Sequence, residues 1–438
     1  MLTIRSKTLV LCACMIEAVW LLAAQSIGSM VLLLPCLVCF LALVVWGAYN
    51  RTALPIFLFF LPFSTLLKLQ PETITFYTLA LLAAYVVYLI TGSRNVPIIH
   101  LIPGLCLVGL TFAAKMLSGL PLENSYFLFC VTILLVPYIA VEFRDGCDFY
   151  WITLTFAVGI VLAATSSQFL SGSSNIMQYV HVLDIMGIVR RSGYFNDPNF
   201  YSAHITVALS GVLVLLLNRS RKRETVTQVC LVVALVYCGL LSVSKSFLLV
   251  AVAMALFWAV GVMFQKGKIS VKLMVLLCAL VGFYFLLSSA MFDTVLSRFV
   301  GATNMSALTT GRTDLWVNYL RELGDNPMML LFGNGYTDVT VGGRAAHNTL
   351  IQLLYQFGVV GYIFLIGWFV CFIRTLLNGM RIHRARLTQL AILFIGAFGP
   401  WMALDYLFFD EFFLFPIYLC AAIRFMAEQD QAESPLLA

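Results

Sequence analysis

The sequence predicts an all-α, polytopic membrane protein, and three observations predict it. Of 438 residues, 62% are hydrophobic and only 11% charged, against about 25% charged in a soluble globular protein. Mean hydropathy is +0.98. Apolar runs long enough to cross a bilayer as helices, roughly 17–25 residues, follow one another along the chain. They fall at 8–24, 28–47, 53–67, 73–91, 97–117, 125–142, 149–170, 199–218, 225–244, 246–265, 271–290, 347–374, 387–407 and 411–428. The third is short and holds Pro55 and Pro62, and the ninth and tenth almost touch, so 12–14 transmembrane helices are expected. Arg5 and Lys7 precede the first run without a convincing small-residue cleavage site behind it, which predicts a retained helix.

All twelve cysteines but Cys147 fall inside apolar runs. That placement predicts small buried hydrophobes, not a disulfide framework. Cys36 and Cys39 have a metal-like spacing but no second ligand pair.

Charge then orients the runs. With the N-terminus inside, the inner connectors collect Arg5, Lys7, Arg51, Arg94, Arg144, Arg219, Arg221, Lys222, Arg223, Lys266, Lys268, Lys272, Arg374, Arg381, Arg384, Arg386 and Arg424. The positive-inside rule accounts for these. It leaves Lys68, Lys115, Arg190, Arg191, Lys245, Arg298, Arg312, Arg321 and Arg344 unexplained. Most lie in or beside two long outer segments, 171–198 and the polar island 292–346. Arginines gathered where topology does not ask for them predict a site that handles an anion.

Four motifs sharpen this. Residues 190–199 read Arg-Arg-Ser-Gly-Tyr-Phe-Asn-Asp-Pro-Asn. Gly193 frees the backbone, and Asp197-Pro198 sets a turn at a helix start, where an anion is favoured. Arg190 or Arg191 can grip a phosphate with two parallel hydrogen bonds. Lys245 sits at an outer tip, Ser242 to Ser246, as a snorkelling residue or a point charge facing the same anion. Gly311-Arg312 opens a short amphipathic helix to Leu323, with Leu315, Tyr319, Leu320 and Leu323 on one stripe and Trp316 beside it; Gly324 to Pro327 stops it. Such a helix is expected to lie on the outer leaflet, its aromatics at headgroup level. Arg321 reads as solvated. Finally, a glycine-rich turn at 331–336 contains Gly335, and 342–348 runs Gly-Gly-Arg344-Ala-Ala-His347-Asn348 into the next apolar run. His347 alone of the five histidines sits at the outer mouth of a run, where a neutral imidazole can take a proton near neutral pH. Asp293, Asp314, Asp325 and Asp338 are scattered, and Asp405, Asp410 and Glu411 flank the last outer turn. No metal-ligand set is expected.

Taken in order, these segments resemble the O-antigen ligase and polymerase family. Its marks are an R-x-x-G-x-F-x-[DN]-P-N segment before a span, an S-[RK] tip, a G-R-x-x-x-W helix, an F-G-x-G turn and an H-N-x-x-[LI] span start. Here they are residues 190–199, Ser244-Lys245, Gly311 to Trp316, Phe332 to Gly335 and His347 to Leu350 or Ile351. The match covers about 190–361; Lys245 departs from the arginine more usual at its tip. The resemblance implies a GT-C-like helical fold with short amphipathic helices on a long outer loop. It divides the chain into N-terminal helices (1–170), a ligase/polymerase-like core (171–375) and C-terminal helices with a cytoplasmic tail (376–438).

The activity it implies is metal- and cofactor-independent glycosyl transfer at the outer face of a bacterial inner membrane, both termini cytoplasmic. The donor would be a glycan on undecaprenyl pyrophosphate, the acceptor a glycan or lipid. A flippase and a chain-length regulator are expected partners besides membrane lipids, and nucleic acid is not. Arg190 or Arg191 and Arg312 would clamp the pyrophosphate, and His347 would act as base. Asn348, Asn199, Lys245, Arg344 and Trp316 would line the substrates, with Gly193 and Gly335 letting backbone approach. Polymerisation of repeat units is favoured; ligation of a finished glycan to lipid A–core or another acceptor is the alternative. Transport of lipid-linked sugar ranks last, because it calls for charge along the spans and internal repeats. Glu17 and Lys115 are the main intraspan charges, and no repeat is visible.

Overall fold

The structure is a computed structural model that describes residues 4–70, 75–91, 96–141, 148–180, 182–185, 188–195, 197–218, 222–265, 267–300, 306, 309–336, 340–377, 383–405 and 411–433. Among residues singled out above, Arg94, Arg144, Cys147, Asn196, Arg219, Arg221, Lys266, Asp338, Arg381 and Asp410 lie outside the described residues.

The helices run α1 (Ile4–Ile27), α2 (Met30–Tyr49), α3 (Ala53–Phe60), α4 (Phe76–Ile90), α5 (Ile98–Leu117), α6 (Asn124–Val141), α7 (Phe149–Leu170) and α8 (Ser174–Met177). After a hairpin of β1 (Val182–Ile185) and β2 (Ile188–Arg191) come α9 (Pro198–Leu216), α10 (Lys222–Leu241), α11 (Lys245–Phe264), α12 (Ile269–Leu287) and α13 (Ala290–Ser297). Then follow α14 (Arg312–Asp325), α15 (Pro327–Phe332), α16 (Thr349–Leu377), α17 (Arg384–Phe398) and α18 (Glu411–Glu433).

Eight of the described helices are long and apolar enough to cross a membrane: Lys7–Ile27, Met30–Tyr49, Ile98–Leu117, Phe149–Leu170, Pro198–Leu216, Lys222–Leu241, Lys245–Phe264 and Thr349–Cys371. Four shorter apolar helices join them, Ala53–Leu66, Phe76–Ile90, Tyr126–Ile139 and Lys272–Leu287. The chain is an all-α polytopic membrane protein. The longer expected list differs for local reasons. The run at 53–67 changes to 3-10 geometry at Leu61–Leu66, where Pro62 enters, and every residue from Ala53 to Phe63 is buried. The run at 387–407 yields a 15-residue helix ending in a 3-10 turn. The last run carries Glu411, Arg424 and Glu428.

The described residues fall into two compact units that interleave along the chain: Met1–Val87, Asp148–Val300 and Arg381–Pro400, then Tyr88–Cys147, Gly301–Met380 and Trp401–Ala438. In the first unit α9 is the hub, packed by α7, α10, α11 and α17. Small residues permit that closeness: a Cβ on Gly396 would fall 2.4 Å from the Ser210 Cβ, and Thr206 Oγ1 donates to the Gly396 carbonyl at 3.2 Å. Gly239 faces the Phe247 ring, which an added Cβ would meet at 2.0 Å, so the end of α10 and the start of α11 approach closely beside the turn that joins them.

In the second unit α5 packs along α16. α16 breaks at Gly358 (φ 62°, ψ −175°). Helical breaks free peptide groups that need new partners. Here the Tyr355 carbonyl accepts from Asn334 N at 3.0 Å, so the turn after α15 docks into the break. α14 lays Leu315, Tyr319 and Leu323 against Ala346 and Tyr355. Leu320, expected on that stripe, is half exposed: the buried positions repeat every four residues, and Leu320 lies about 100° round from Tyr319. Tyr319 is wholly buried in protein, where the outer-leaflet expectation had put it at headgroup level.

Gly333 tests the docking. Its φ is +75°, and a Cβ there would lie 2.3 Å from the Gln356 carbonyl oxygen. Gly333→Ala is expected to cost about 2 kcal/mol or more through strain and backbone overlap, read as a lowered apparent Tm in detergent. Gly109→Ala, which meets nothing within 4 Å, is expected to leave Tm unchanged or slightly raised.

Candidate functional site

Each unit gathers one set of the residues singled out from sequence. In the first unit the set is built on β2. The hairpin register places Leu183 opposite Arg190 and Val182 opposite Arg191, and successive strand residues face opposite ways. The pair that sequence left undivided is thereby separated. Arg190 is 5% exposed; its Nε donates to the Ser242 carbonyl at 3.1 Å and its Nη2 to Asn199 Oδ1 at 3.3 Å. Arg191 is half-buried. Ser244 Oγ donates to the same Asn199 oxygen at 2.8 Å, tying the start of α9 to the start of α11.

The turns behave as the residues dictate. Gly193 takes φ +61° against the Tyr201 ring. Asp197 caps α9, its carboxylate accepting from Asn199 N at 2.6 Å, with Pro198 in the first turn. Lys245 opens α11, its ammonium 5.2 Å from the centroid of the Phe299 ring. Arg298 Nη1 donates to the Val243 carbonyl at 2.5 Å.

In the second unit the centre is Asp405, which the sequence reading noted only as flanking a turn. Its Oδ2 accepts from His347 N at 2.8 Å and its Oδ1 from Asn348 N at 3.0 Å. Thr349 Oγ1 donates to the neighbouring Leu404 carbonyl at 2.6 Å. One carboxylate thus occupies the positive end of α16, the favoured place for an anion. It also holds His347 at φ +48°, a conformation uncommon outside glycine. His347 Nδ1 lies 3.5 Å from Asp405 Oδ2, with the imidazole 37% exposed and the carboxylate 9%. That is long for a hydrogen bond but within charge-pair range, and it leaves Nε2 on the far side of the ring.

Arg312 Nη1 donates to the Ala403 carbonyl at 2.8 Å, two residues from Asp405. Burial pushes the Asp405 carboxyl above its ordinary 3.8, opposed by the charge of His347, the His347 and Asn348 N–H groups and the Arg312 guanidinium. Asn348 Oδ1 caps α16, accepting from Leu350 N and Ile351 N at 3.0 and 3.3 Å. Trp316 Nε1 donates to the Ala346 carbonyl at 3.0 Å and Tyr319 Oη to that of Arg344 at 2.9 Å. α14 thereby pins the segment before His347 by its backbone, leaving the Arg344 side chain exposed. Gly335 (φ +77°) would bring a Cβ within 3.0 Å of the Lys115 side chain. Lys115 is fully buried, its ammonium on the Tyr336 carbonyl at 2.5 Å and 5.5 Å from the Tyr126 ring.

The structure therefore brings together Arg190, Asn199 and Lys245 in one unit, and Arg312, His347, Asn348 and Trp316 in the other. Sequence reasoning missed Asp405, Arg298 and the role of Lys115. The available signal was the same for Arg298 and Lys115, a basic residue with no topological reason to be there. For Asp405 it was an acid at the edge of an apolar run. Among the described residues no group of three or more His, Cys, Asp or Glu is arranged to hold a metal ion.

Asp405→Ala leaves two N–H groups without their acceptor. Each unsatisfied buried donor costs about 1–3 kcal/mol, so an apparent Tm well below wild type is expected, while Asp405→Asn recovers part of it through its remaining carbonyl oxygen. The pH dependence has a definite sign. A carboxyl raised on folding contributes stability below its unfolded value of 3.8 and loses it as pH rises through the higher folded value. Tm measured against pH across the acidic range is expected to show this decline in wild type and not in Asp405→Asn.

No family model matches the chain, and no curated protein matches it, so its functional reading stands on the residues and their geometry.

Proposed function

We propose that the chain is an outer-leaflet glycosyltransferase that polymerises oligosaccharide repeat units carried on undecaprenyl pyrophosphate. The observation that carries this reading is the His347–Asp405 pair with Arg312 beside it. A carboxylate that fixes one face of an imidazole favours the Nδ1–H tautomer and leaves Nε2 as a base. In the transfer, an acceptor hydroxyl oxygen bonds to the anomeric carbon of the donor sugar while the bond from that carbon to the pyrophosphate oxygen breaks. The hydroxyl proton passes to His347 Nε2, and the lipid pyrophosphate leaves with the bonding pair. Arg312 stabilises negative charge where it grows, the role for which a fixed guanidinium group is suited, and Arg190 brings the same chemistry to the first unit.

Asn348 and Trp316 act here through the backbone: one caps the helix that carries the base, the other holds the segment entering it. Arg344, exposed on its turn, is left to meet substrate. Lys245 supplies a point charge, and the turns at Gly193 and Gly335 shape the backbone around the two sets. A ligase would run the same chemistry with a different acceptor.

The test is the length distribution of lipid-linked glycans in a deletion strain, with variants restored in place. Single repeats accumulating on the carrier lipid are expected. A full ladder stranded on the carrier, absent from the final acceptor, would turn the assignment to ligase. His347→Ala is expected to reproduce the deletion, since a general base contributes roughly 10²–10⁴-fold; wild-type behaviour would sink the catalytic reading and bring transport forward. In the same strain Arg190→Ala is expected to lower transfer roughly a hundredfold and Arg191→Ala far less.

A further inference from the structure

Four helix ends meet in the first unit at the end away from Arg190. α9 and α11 run side by side from the Ser244–Asn199 bond at their starts. At their far ends Gln265 Nε2 donates to the Leu217 carbonyl. A Cβ on Gly261 would lie 2.8 Å from Leu217 Cδ1 and 3.1 Å from Thr388 Oγ1, so the first turns of α17 pack at the same place. Arg386 Nη1 ties α17 there, donating to Asn218 Oδ1 at 3.0 Å. α12 leaves from this end too, at Ile269.

Cations gather on this junction. Lys272 Nζ donates to the Met263 carbonyl at 2.8 Å, and the Arg384 guanidinium lies 5.9 Å from the centroid of the Phe264 ring. Met263 and Phe264 are the last two residues of α11, so both cations reach one helix end, where the carbonyls carry partial negative charge. Lys268, the residue before α12, is exposed, and so is Arg384. The chain supplies no acid along these elements. No aspartate or glutamate occurs between Glu224 and Asp293 or between Asp338 and Asp405, stretches that contain α11, α12 and α17 whole. Beside the charges, Phe264, Ile269, Leu273 and Leu387 are exposed on the same helix ends. Cations flanked by exposed apolar side chains at the end of membrane helices suit an amphiphile with an anionic head. The positive-inside rule assigns this end to the inner leaflet, whose surface is negative.

We propose that this junction binds the phosphate headgroup of an anionic membrane lipid, with Lys268, Lys272 and Arg384 as binding residues. The Arg384 fork can meet a phosphate with two parallel N–H groups, and the lysines add point charges. The site stands across the length of α9 and α11 from the Arg190 set and does not depend on the transferase reading.

The experiment is native mass spectrometry of the full chain in detergent, titrated with dioleoylphosphatidylglycerol or dioleoylphosphatidylcholine. Saturable uptake of phosphatidylglycerol, tighter than that of phosphatidylcholine, is expected. Each lost cation is expected to weaken it roughly fivefold, the effect of one basic residue at a membrane surface. The double variant Lys268→Gln with Arg384→Gln is therefore expected to bind roughly twenty-five-fold more weakly. Both side chains are exposed, so this variant is expected to fold. Lys272→Gln, whose amide can still donate to the Met263 carbonyl, gives a second reading. Arg384→Lys keeps the charge and is expected to bind nearly as wild type, as is Arg321→Ala on the exposed face of α14. Equal uptake of the two lipids by wild type would overturn the site, and so would wild-type affinity for phosphatidylglycerol in the folded, monodisperse double variant. Displacement of the bound lipid by an equal concentration of glycerol 1-phosphate would identify a soluble phosphate as the occupant and overturn the lipid assignment.

Discussion

A peptide group that leaves the helical ladder inside an apolar bundle must find another partner, because no water is there to take it. Much of this molecule's chemistry is arranged by that requirement. The break at Gly358 frees the Tyr355 carbonyl, and Asn334 N comes to it. The start of α16 exposes the N–H groups of His347 and Asn348, and Asp405 comes to them. The turn between α10 and α11 exposes two carbonyls, and Arg190 and Arg298 come to them. In the last two cases the partner is charged. Satisfying the backbone therefore also fixes a charge, at a position set by the chain's path and not by side-chain packing.

This explains where the backbone is strained. Among the described residues, Arg51, Val243, Thr310 and His347 have positive φ without being glycine. Val243 and His347 are the residues whose peptide groups the charged side chains hold, and Thr310 stands two residues before Arg312. Strain of this kind costs about 1–3 kcal/mol per residue and persists only where neighbours over-determine the conformation. A carboxylate bridging two consecutive N–H groups, or guanidinium groups gripping two consecutive carbonyls, supplies that determination.

What the sequence made legible follows the same division. Features dictated by a few adjacent residues could be read directly: the apolar helices, the Asp197–Pro198 helix start, the opening of α14 at Gly311 and the turns at Gly193 and Gly335. Features that depend on a partner far along the chain could not. Asp405 meets His347 across 58 positions, and Arg298 meets Val243 across 55; no local pattern encodes either pairing. The β1–β2 hairpin was missed because its strands are four residues each, too short for an alternating pattern to stand out. Even so, the hairpin gives Arg190 and Arg191 different surroundings, the first buried on Ser242 and Asn199 and the second half-buried, a difference that neighbouring positions in a sequence cannot express.

The two charged sets also differ in kind, which bears on what each can do. Around Asp405, burial raises the carboxyl while His347, Arg312 and two N–H groups lower it. A group balanced between such opposing influences responds to a proton arriving on His347, since an imidazolium at 3.5 Å strengthens the attraction that favours the ionised acid. A positive charge on His347 and ionisation of Asp405 therefore favour each other. Arg190 and Arg298 offer no such response, because guanidinium does not titrate in this range. Their charge is constant and their forked donors are aimed by the carbonyl oxygens of Ser242 and Val243. Lys245 carries a point charge without a fork, and its place over Phe299 makes it an addition to the electrostatic field of that turn more than a director of geometry.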